Sequence, residues 1–405
     1  MKNNKNKKVI LAFSGGLDTS FCVPYLIDKE FDVITVTIDS GGLNPEDITE
    51  IEKKSKELGA TKHYLIDAKQ YYYDSIISWI IKTNGLYEGS YPNIVSSQRY
   101  HIVEKCIEIA KIEKAQYFAD GNTGMGNDQI RFNVSASIIA PDIKIIEPVK
   151  ETGGNRENEK KYLANKGFKV SSQHKKYSIN INLLGISYSG SEIDKNNEPE
   201  ENIFQWVTGE KVKEQTYLTI EFKKGLPIKL NGKKITGAKL FQTLNVEVGK
   251  YGFGKSYYTG DCMIGIKGHL VFEAPAILLL ILAHKALEQY VLTKQQIYFG
   301  EAVSKEMTEM IFNGKFFDPY VEDLKHFINS QQKNVSGTVK IKLENGNVLP
   351  VSVKTKYSLI DPKIALYAQS KSWTSDEVNG FIKLYGLQSV IASKVNMKEG
   401  KIYED

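Results

Sequence analysis

VILAFSGGLDTS, residues 9–20, joins a short apolar run to a helix-forming segment through two glycines. Val9 to Phe13 has strand character, and helix-forming sequence resumes from Thr19 through Ile27. Without Cβ atoms, Gly15 and Gly16 let the backbone approach a ligand closely. Such a turn brings several free N–H groups and the positive end of a helix to one point, which suits a phosphate. Ser14, Thr19 and Ser20 add hydroxyls. Asp18 stands where a carboxylate can hold Mg²⁺ beside phosphates, or where a carboxylate caps a helix; the sequence leaves both readings open.

No Lys follows the glycines, so this is not the GxxxxGK[ST] loop, and it is not GxGxxG. It resembles the SGGxDS/T signature of the N-type ATP pyrophosphatases, the PP-loop enzymes. They cleave ATP between its α and β phosphates and adenylate an oxygen or carboxyl group.

Working outward, the next segments alternate. Asp32 to Ile38, Lys62 to Ile66, Gln116 to Ala119 and Ile143 to Ile146 read as strands. Glu46 to Leu58 (with Gly59 as its stop), Lys69 to Lys82 and Ser96 to Ile112 read as helices. Strands alternating with long helices predict a parallel sheet covered on both faces, with ligand at the carboxyl ends of the strands. A second glycine-rich loop, ADGNTGMGNDQIRF at 119–132, falls at such an end. Its polar residues predict either a small polar ligand or a turn with a helix cap at Asn127 or Asp128.

With 405 residues the chain is too long for one core, and two or three domains are expected. Charged residues make up 25%, and the mild net charge of +5 is spread along the chain, which does not argue for a dedicated nucleic-acid surface. Cys22, Cys106 and Cys262 form no CxxC pair, so neither a zinc site nor a disulfide framework is predicted, and a reducing cytoplasm is expected. The basic N-terminus leads into too short an apolar run for a signal peptide. Ala274 to Ala283 is half the length of a membrane span and reads as part of a buried helix, Ala274 to Tyr290.

After Gly153-Gly154, Glu157 to Asn165 reads as a charged helix leading out of the first domain. Beyond about residue 170 the pattern becomes β-rich: Thr216 to Phe222, Leu226 to Leu230 and Val339 to Leu343, with turns at Asn231-Gly232 and Asn345-Gly346. Trp79 and Trp206 read as packing residues, His284 as a satisfied core histidine, and Tyr71-Tyr72-Tyr73 as a helical run without function. An amphipathic helix follows Ser375.

SGGLDTS, LYEGSYP at 86–92, DGNTGMGNDQIRF at 120–132 and YSININLLGIS at 177–187 together resemble the argininosuccinate synthase family. EFKKGLPIKLNGK at 221–233, IGIK at 264–267, EAPA at 273–276 and NGFIKLYGL at 379–387 extend the resemblance nearly end to end. It implies an α/β protein. A parallel-sheet PP-loop domain (adenine nucleotide alpha hydrolase-like) would span 1–165, an α+β synthetase domain 166–365, and a C-terminal arm with an oligomerisation helix 366–405. It also implies a cytoplasmic homotetramer of arginine biosynthesis that acts on small molecules, using ATP and Mg²⁺. In that family the citrulline ureido oxygen attacks the α-phosphate, and the aspartate amine then displaces AMP. No nucleic-acid or membrane partner is expected, and no metal-ligand set is assigned within the chain.

Carried over by resemblance, ATP binding falls on Ala12, Phe13, Ser14, Gly15, Gly16, Leu17, Asp18, Thr19, Ser20, Ile38 and Gly121. Aspartate binding falls on Arg99, Thr123, Asn127 and Asp128. Citrulline binding falls on Tyr91, Ser96, Asn127, Arg131, Ser178, Ser187 and the position of Phe272. Asp18, Asp128 and Arg131 are the expected catalytic residues. Several family positions differ: Ile94 replaces a glycine, Val95 a hydroxyl residue, Met125 a lysine, Asn133 a glutamate, Gly260 a citrulline-binding glutamate, and Phe272 a tyrosine. Asp261 is the nearest carboxylate to the missing glutamate. These differences keep two alternatives open: a ligase for another ureido, amide or carboxylate acceptor, and a nucleotide-binding paralogue without turnover. A tRNA-thiolating enzyme would need a cysteine pair and a strongly basic face, and the sequence has neither.

Overall fold

The computed structural model describes residues 7–123, 126–169, 176–208, 214–364 and 372–398. Met125 therefore lies outside the described residues. The chain divides into two compact units, 1–357 and 358–405.

In the first unit, five parallel strands form one sheet: β1 (Lys7–Ala12), β2 (Phe31–Asp39), β3 (Lys62–Asp67), β4 (Tyr117–Ala119) and β5 (Lys144–Ile146). Their order is β3-β2-β1-β4-β5. The sheet's two faces carry separate apolar clusters, one containing Val9, Leu11 and Val33, the other Ile10, Ile34 and Val36. Continuous apolar strands are what a sheet buried on both faces requires. Helices α1 (Leu17–Asp28), α2 (Pro45–Glu57), α3 (Ile94–Glu113), α4 (Asn127–Ile139) and α5 (Arg156–Asn165) accompany it. Because β1 and β4 are neighbours, the loops after Ala12 and after Ala119 emerge side by side.

The helix expected at 69–82 is three consecutive pieces. A π-helical turn, Tyr73–Ile77, separates Lys69–Tyr72 from Ser78–Thr83. The three tyrosines face different neighbours, as consecutive helical residues must. Lys105 lies over the Tyr71 ring at 3.7 Å, Tyr72 hydrogen-bonds Ser97 at 2.6 Å, and Tyr73 packs edge-on to Phe241 at 5.9 Å. Asn127 and Asp128 do not cap α4; that position belongs to Gly126, with no side-chain capping bond.

The β-rich half of the unit contains two antiparallel sheets. One, ordered β11-β12-β7-β6, comprises β6 (Ser178–Ile181), β7 (Ile186–Ser189), β11 (Lys255–Asp261) and β12 (Lys267–Glu273). The other, ordered β10-β9-β8-β13-β14, comprises β8 (Thr216–Lys223), β9 (Leu226–Leu230), β10 (Lys233–Lys234), β13 (Gly337–Glu344) and β14 (Asn347–Lys354). The apolar helix α6 (Pro275–Val291) is followed by α7 (Lys294–Phe312). His284 is fully buried, with its ring nitrogens 2.8 Å from Asn84 Oδ1 and 2.9 Å from Gln332 Oε1, a satisfied core histidine.

The β6–β7 hairpin docks on the nucleotide-binding half through backbone. Leu183 N donates to Ser40 O at 2.7 Å, and the buried Asn182 amide donates to Ile94 O at 2.8 Å. A Cβ on Gly42 would lie 2.1 Å from Ile181 O, so only glycine allows this approach. Glu273, at the end of β12, is fully buried. Its carboxylate accepts from the N–H groups of Gln205, Trp206 and Val207 at 3.0, 2.9 and 2.6 Å, and from the Tyr188 hydroxyl.

The second unit holds helices Ser375–Tyr385 and Leu387–Lys398. Thr374, not Ser375, caps the first, in a capping box with Glu377. Phe381, Leu384, Tyr385, Val390 and Val395 are exposed.

Candidate active site

The turn after β1 has the geometry an anion needs. Gly15 is at φ +73°, and a Cβ there would lie 2.9 Å from Ile51 Cγ1. Gly16 caps α1 with extended backbone and no side-chain bond, which leaves the first-turn N–H groups to a ligand. Asp18 therefore does not serve as the cap. Its Oδ1 is buried without a hydrogen-bond partner, and Arg156 Nε is 3.7 Å away. Ser20 turns back, donating to Gly16 O at 2.6 Å. Lys54, from α2, donates to Gly15 O at 2.7 Å and brings a cation to the loop. Sequence reading missed it, because nothing separates Lys54 from the other lysines of that charged helix.

These residues line a cleft of about 660 Å³. Ala12, Phe13, Ser14, Gly15, Gly16, Asp18 and Thr19 contribute from the first loop, Ile38 from β2, and Gly121 from the second loop. Leu17 and Ser20 are not on its wall. The two loops touch: a Cβ on Gly121 would lie 2.8 Å from Thr19 Cγ2 and 3.1 Å from Thr19 N.

A second cavity of about 490 Å³ adjoins the first, and Asp18, Gly121, Asn122 and Asn180 line both. Tyr91, Ser96, Thr123, Asn127, Asp128 and Arg131 reach it from the nucleotide-binding half. Ser178 and Ser187 reach it from the β6–β7 hairpin, where Ser178 pairs with Ser189 and Ser187 with Asn180. Val95 is also on this wall. Arg99 faces the first cavity. Phe272 lines neither; it is buried, edge-on to Tyr91 at 5.6 Å. Asn180 lies in a quoted motif, but sequence reading gave roles only to the serines around it.

The electrostatic centre is Asp128, which bridges two guanidinium groups. Arg99 Nη2 donates to its Oδ2 at 2.8 Å, and Arg131 Nη1 to its Oδ1 at 2.9 Å. Burial alone would raise the Asp128 pKa, but the two arginine charges hold it down at about 2. Arg99 also reaches Asn180 Oδ1 at 3.2 Å, while Arg131 Nε donates to Phe312 O at 2.9 Å. Asn127 Oδ1 accepts from Met263 N at 2.9 Å and fixes the turn between β11 and β12. Around the cavities, Asn122 Nδ2, both amide atoms of Gln129, Arg99 Nε and Ser187 Oγ are buried without partners. Buried polar atoms are ordinarily satisfied, so their concentration here suits a polar ligand.

Asp120, fully buried at the end of β4, has its pKa raised to about 7. Burial is the main cause, with the charges of Glu147 and Asp128 adding to it. Because the folded value exceeds the unfolded one, its contribution to stability is complete below about pH 4 and is lost as pH rises to about 7. The slope is about 1.4 kcal/mol per pH unit. Asp120→Asn is therefore expected to melt above the parent at pH 8, with the gap closing toward pH 4. A melting series across that range checks this, and parallel curves would contradict it.

A parallel-sheet domain with an anion-binding glycine turn, joined to a β-rich half that walls in a second polar cavity, has the layout of an enzyme that brings a nucleotide to a second polar substrate. The family model described as the arginosuccinate synthase N-terminal HUP domain matches residues 8–169, and that of the C-terminal domain matches 177–392. The chain is 40% identical over 397 residues to the argininosuccinate synthase of Xanthomonas campestris pv. campestris, covering 96% of this chain and 99% of that protein. It is 40% identical over 385 residues to that of Methanocaldococcus jannaschii, covering 94% and 97%. The chain belongs to the argininosuccinate synthase family.

Proposed function

We propose that this chain condenses citrulline with aspartate to argininosuccinate, with release of AMP and pyrophosphate. The observation that carries this reading is the shared wall of the two cavities at Asp18, Gly121, Asn122 and Asn180. An acceptor in the second cavity can reach the α-phosphate of a nucleotide in the first. The ureido oxygen attacks that phosphorus and pyrophosphate leaves. The aspartate amine then attacks the ureido carbon, AMP leaves, and the amine loses a proton.

In this reading the Ser14–Gly16 turn and the α1 N-terminus bind the phosphates, with Ile38 beside the adenine. Arg99, Thr123, Asn127 and Asp128 hold aspartate. Tyr91, Ser96, Asn127, Arg131, Ser178 and Ser187 hold citrulline. The protein's share is positioning and charge stabilisation. Mg²⁺ fits one unpartnered carboxylate oxygen, Asp18 Oδ1. Among the described residues, no group of three His, Cys, Asp or Glu could hold a metal alone, so the nucleotide phosphates would supply most ligands. Bound there, Mg²⁺ would screen phosphate charge. Among the described residues no helix is long and apolar enough to cross a membrane. A cytoplasmic homotetramer, assembled through the apolar side chains of 375–398, completes the proposal.

The test is pyrophosphate release from MgATP and aspartate, with and without citrulline, followed by mass spectrometry of the products. Citrulline-dependent release with argininosuccinate formed is expected. The side chain of Val95 on the cavity wall favours a second reading, a different acceptor. Tight ATP binding without citrulline dependence would select it.

A further inference from the structure

We propose that Glu88 and Tyr258 form a specificity-determining pair that recognises the α-ammonium group of the amino-acid acceptor; this rests on the citrulline reading above. Gly260 lines the acceptor cavity. A Cβ built on it would lie 1.9 Å from the Tyr258 hydroxyl oxygen and 2.1 Å from Glu88 Oε2. The space in which a side chain at 260 would begin is thus already filled by a phenol and a carboxylate. The two are bonded to each other: Tyr258 donates to Glu88 Oε2 at 2.9 Å. Burial and the Glu88 charge push the phenol well above its ordinary pKa, so it remains a donor. Tyr258 lines the cavity and stacks on Tyr91, another wall residue, at 5.0 Å between ring centres.

Glu88 reaches the acceptor cavity through Tyr258 and the Gly260 position, and its backbone holds it there. It sits at φ +49°, in a turn closed by Tyr87 N to Tyr91 O at 2.7 Å and Tyr91 N to Tyr87 O at 3.0 Å. A non-glycine residue in that region persists only where its surroundings impose it, and such residues concentrate at ligand sites. Asp261, the carboxylate next to Gly260, also lines the cavity, but it is exposed and engaged by Lys267 at 2.5 Å. A zwitterionic amino acid needs charge of both signs. Arg131, on the cavity wall, supplies the cationic side, and Glu88 supplies the anionic one.

With Tyr258 and Glu88 in place, Gly260→Glu would collide with both, so it is not expected to improve citrulline use.

The test compares citrulline with 5-ureidopentanoate, which lacks only the α-amino group, in the wild type, Glu88→Gln and Tyr258→Phe. The wild type is expected to prefer citrulline. Glu88→Gln should raise the citrulline KM by about 10- to 100-fold and erase most of that preference. KM values for ATP and aspartate should stay within about twofold, because Glu88 lies outside those contacts. Tyr258→Phe should show a smaller change in the same direction. An unchanged citrulline KM in Glu88→Gln, beside an active wild type, overturns the pair alone. A wild type that makes no argininosuccinate overturns the citrulline reading and the pair with it. Glu88 is exposed, so its glutamine variant is expected to fold, and a matched melting temperature checks this.

Discussion

Asp128→Ala is expected to abolish AMP production, by at least about a hundredfold, while MgATP still binds. Among the described residues, Asp128 is the only side chain that bonds both Arg99 and Arg131. Without it, two guanidinium groups in a largely buried place lose their shared counter-charge and their aim. Removing one partner of a buried ion pair costs about 3–5 kcal/mol, and part of that will appear as lowered thermal stability. The bonds that shape the nucleotide loop, from Ser20 and Lys54, do not involve Asp128, so ATP affinity should survive. Asp128→Asn separates charge from shape, since it keeps acceptor geometry on one oxygen but not the neutralisation. Pyrophosphate release and calorimetric ATP titration measure the two properties independently. Full turnover in either variant would remove Asp128 from the site.

The largest effect on folding is expected at Glu273. Its carboxylate terminates three consecutive backbone N–H groups and a tyrosine hydroxyl, all away from water. Glu273→Ala would leave four donors without acceptors, at about 1–3 kcal/mol each. Such a sum is comparable with the whole stability of a domain. The variant is therefore expected to accumulate as insoluble protein. Glu273→Gln, which retains one full acceptor, should remain soluble with a lowered melting temperature. Soluble, normally melting Glu273→Ala would show that segment 205–207 can find other partners.

The parallel sheet was legible because its central strands, β1 and β2, carry apolar runs and its helices are long, a pattern that few other arrangements can bury. Both loops were legible because glycines at strand ends have no role in regular structure. Gly15 and Gly121 do meet steric limits that a side chain would break. What could not be read depends on residues far apart in the chain. Arg131 is aimed by a carbonyl 181 positions later, and Glu88 meets a phenol 170 positions later. No periodicity encodes such pairs. Helix over 69–82 was legible, but the π turn inside it was not, because local propensity is uniform there and the turn answers to tertiary neighbours such as Phe241. Asn127 and Asp128 looked like a helix cap because sequence cannot show that arginines and a neighbouring turn compete for the same oxygens.

The bond from Arg131 to the carbonyl of Phe312 has a consequence for how competence arises. A ribosome that has completed the first half of the chain has made the phosphate loop but not the contact that aims this arginine. The cleft acquires its charge geometry only after the helix ending at Phe312 has been synthesised and has docked, so no partly made chain carries a finished site. The same bond constrains inheritance. Recombination that exchanged one half for that of a distant paralogue would have to bring a main-chain oxygen to the same spot, which depends on helix length and placement rather than on any residue type.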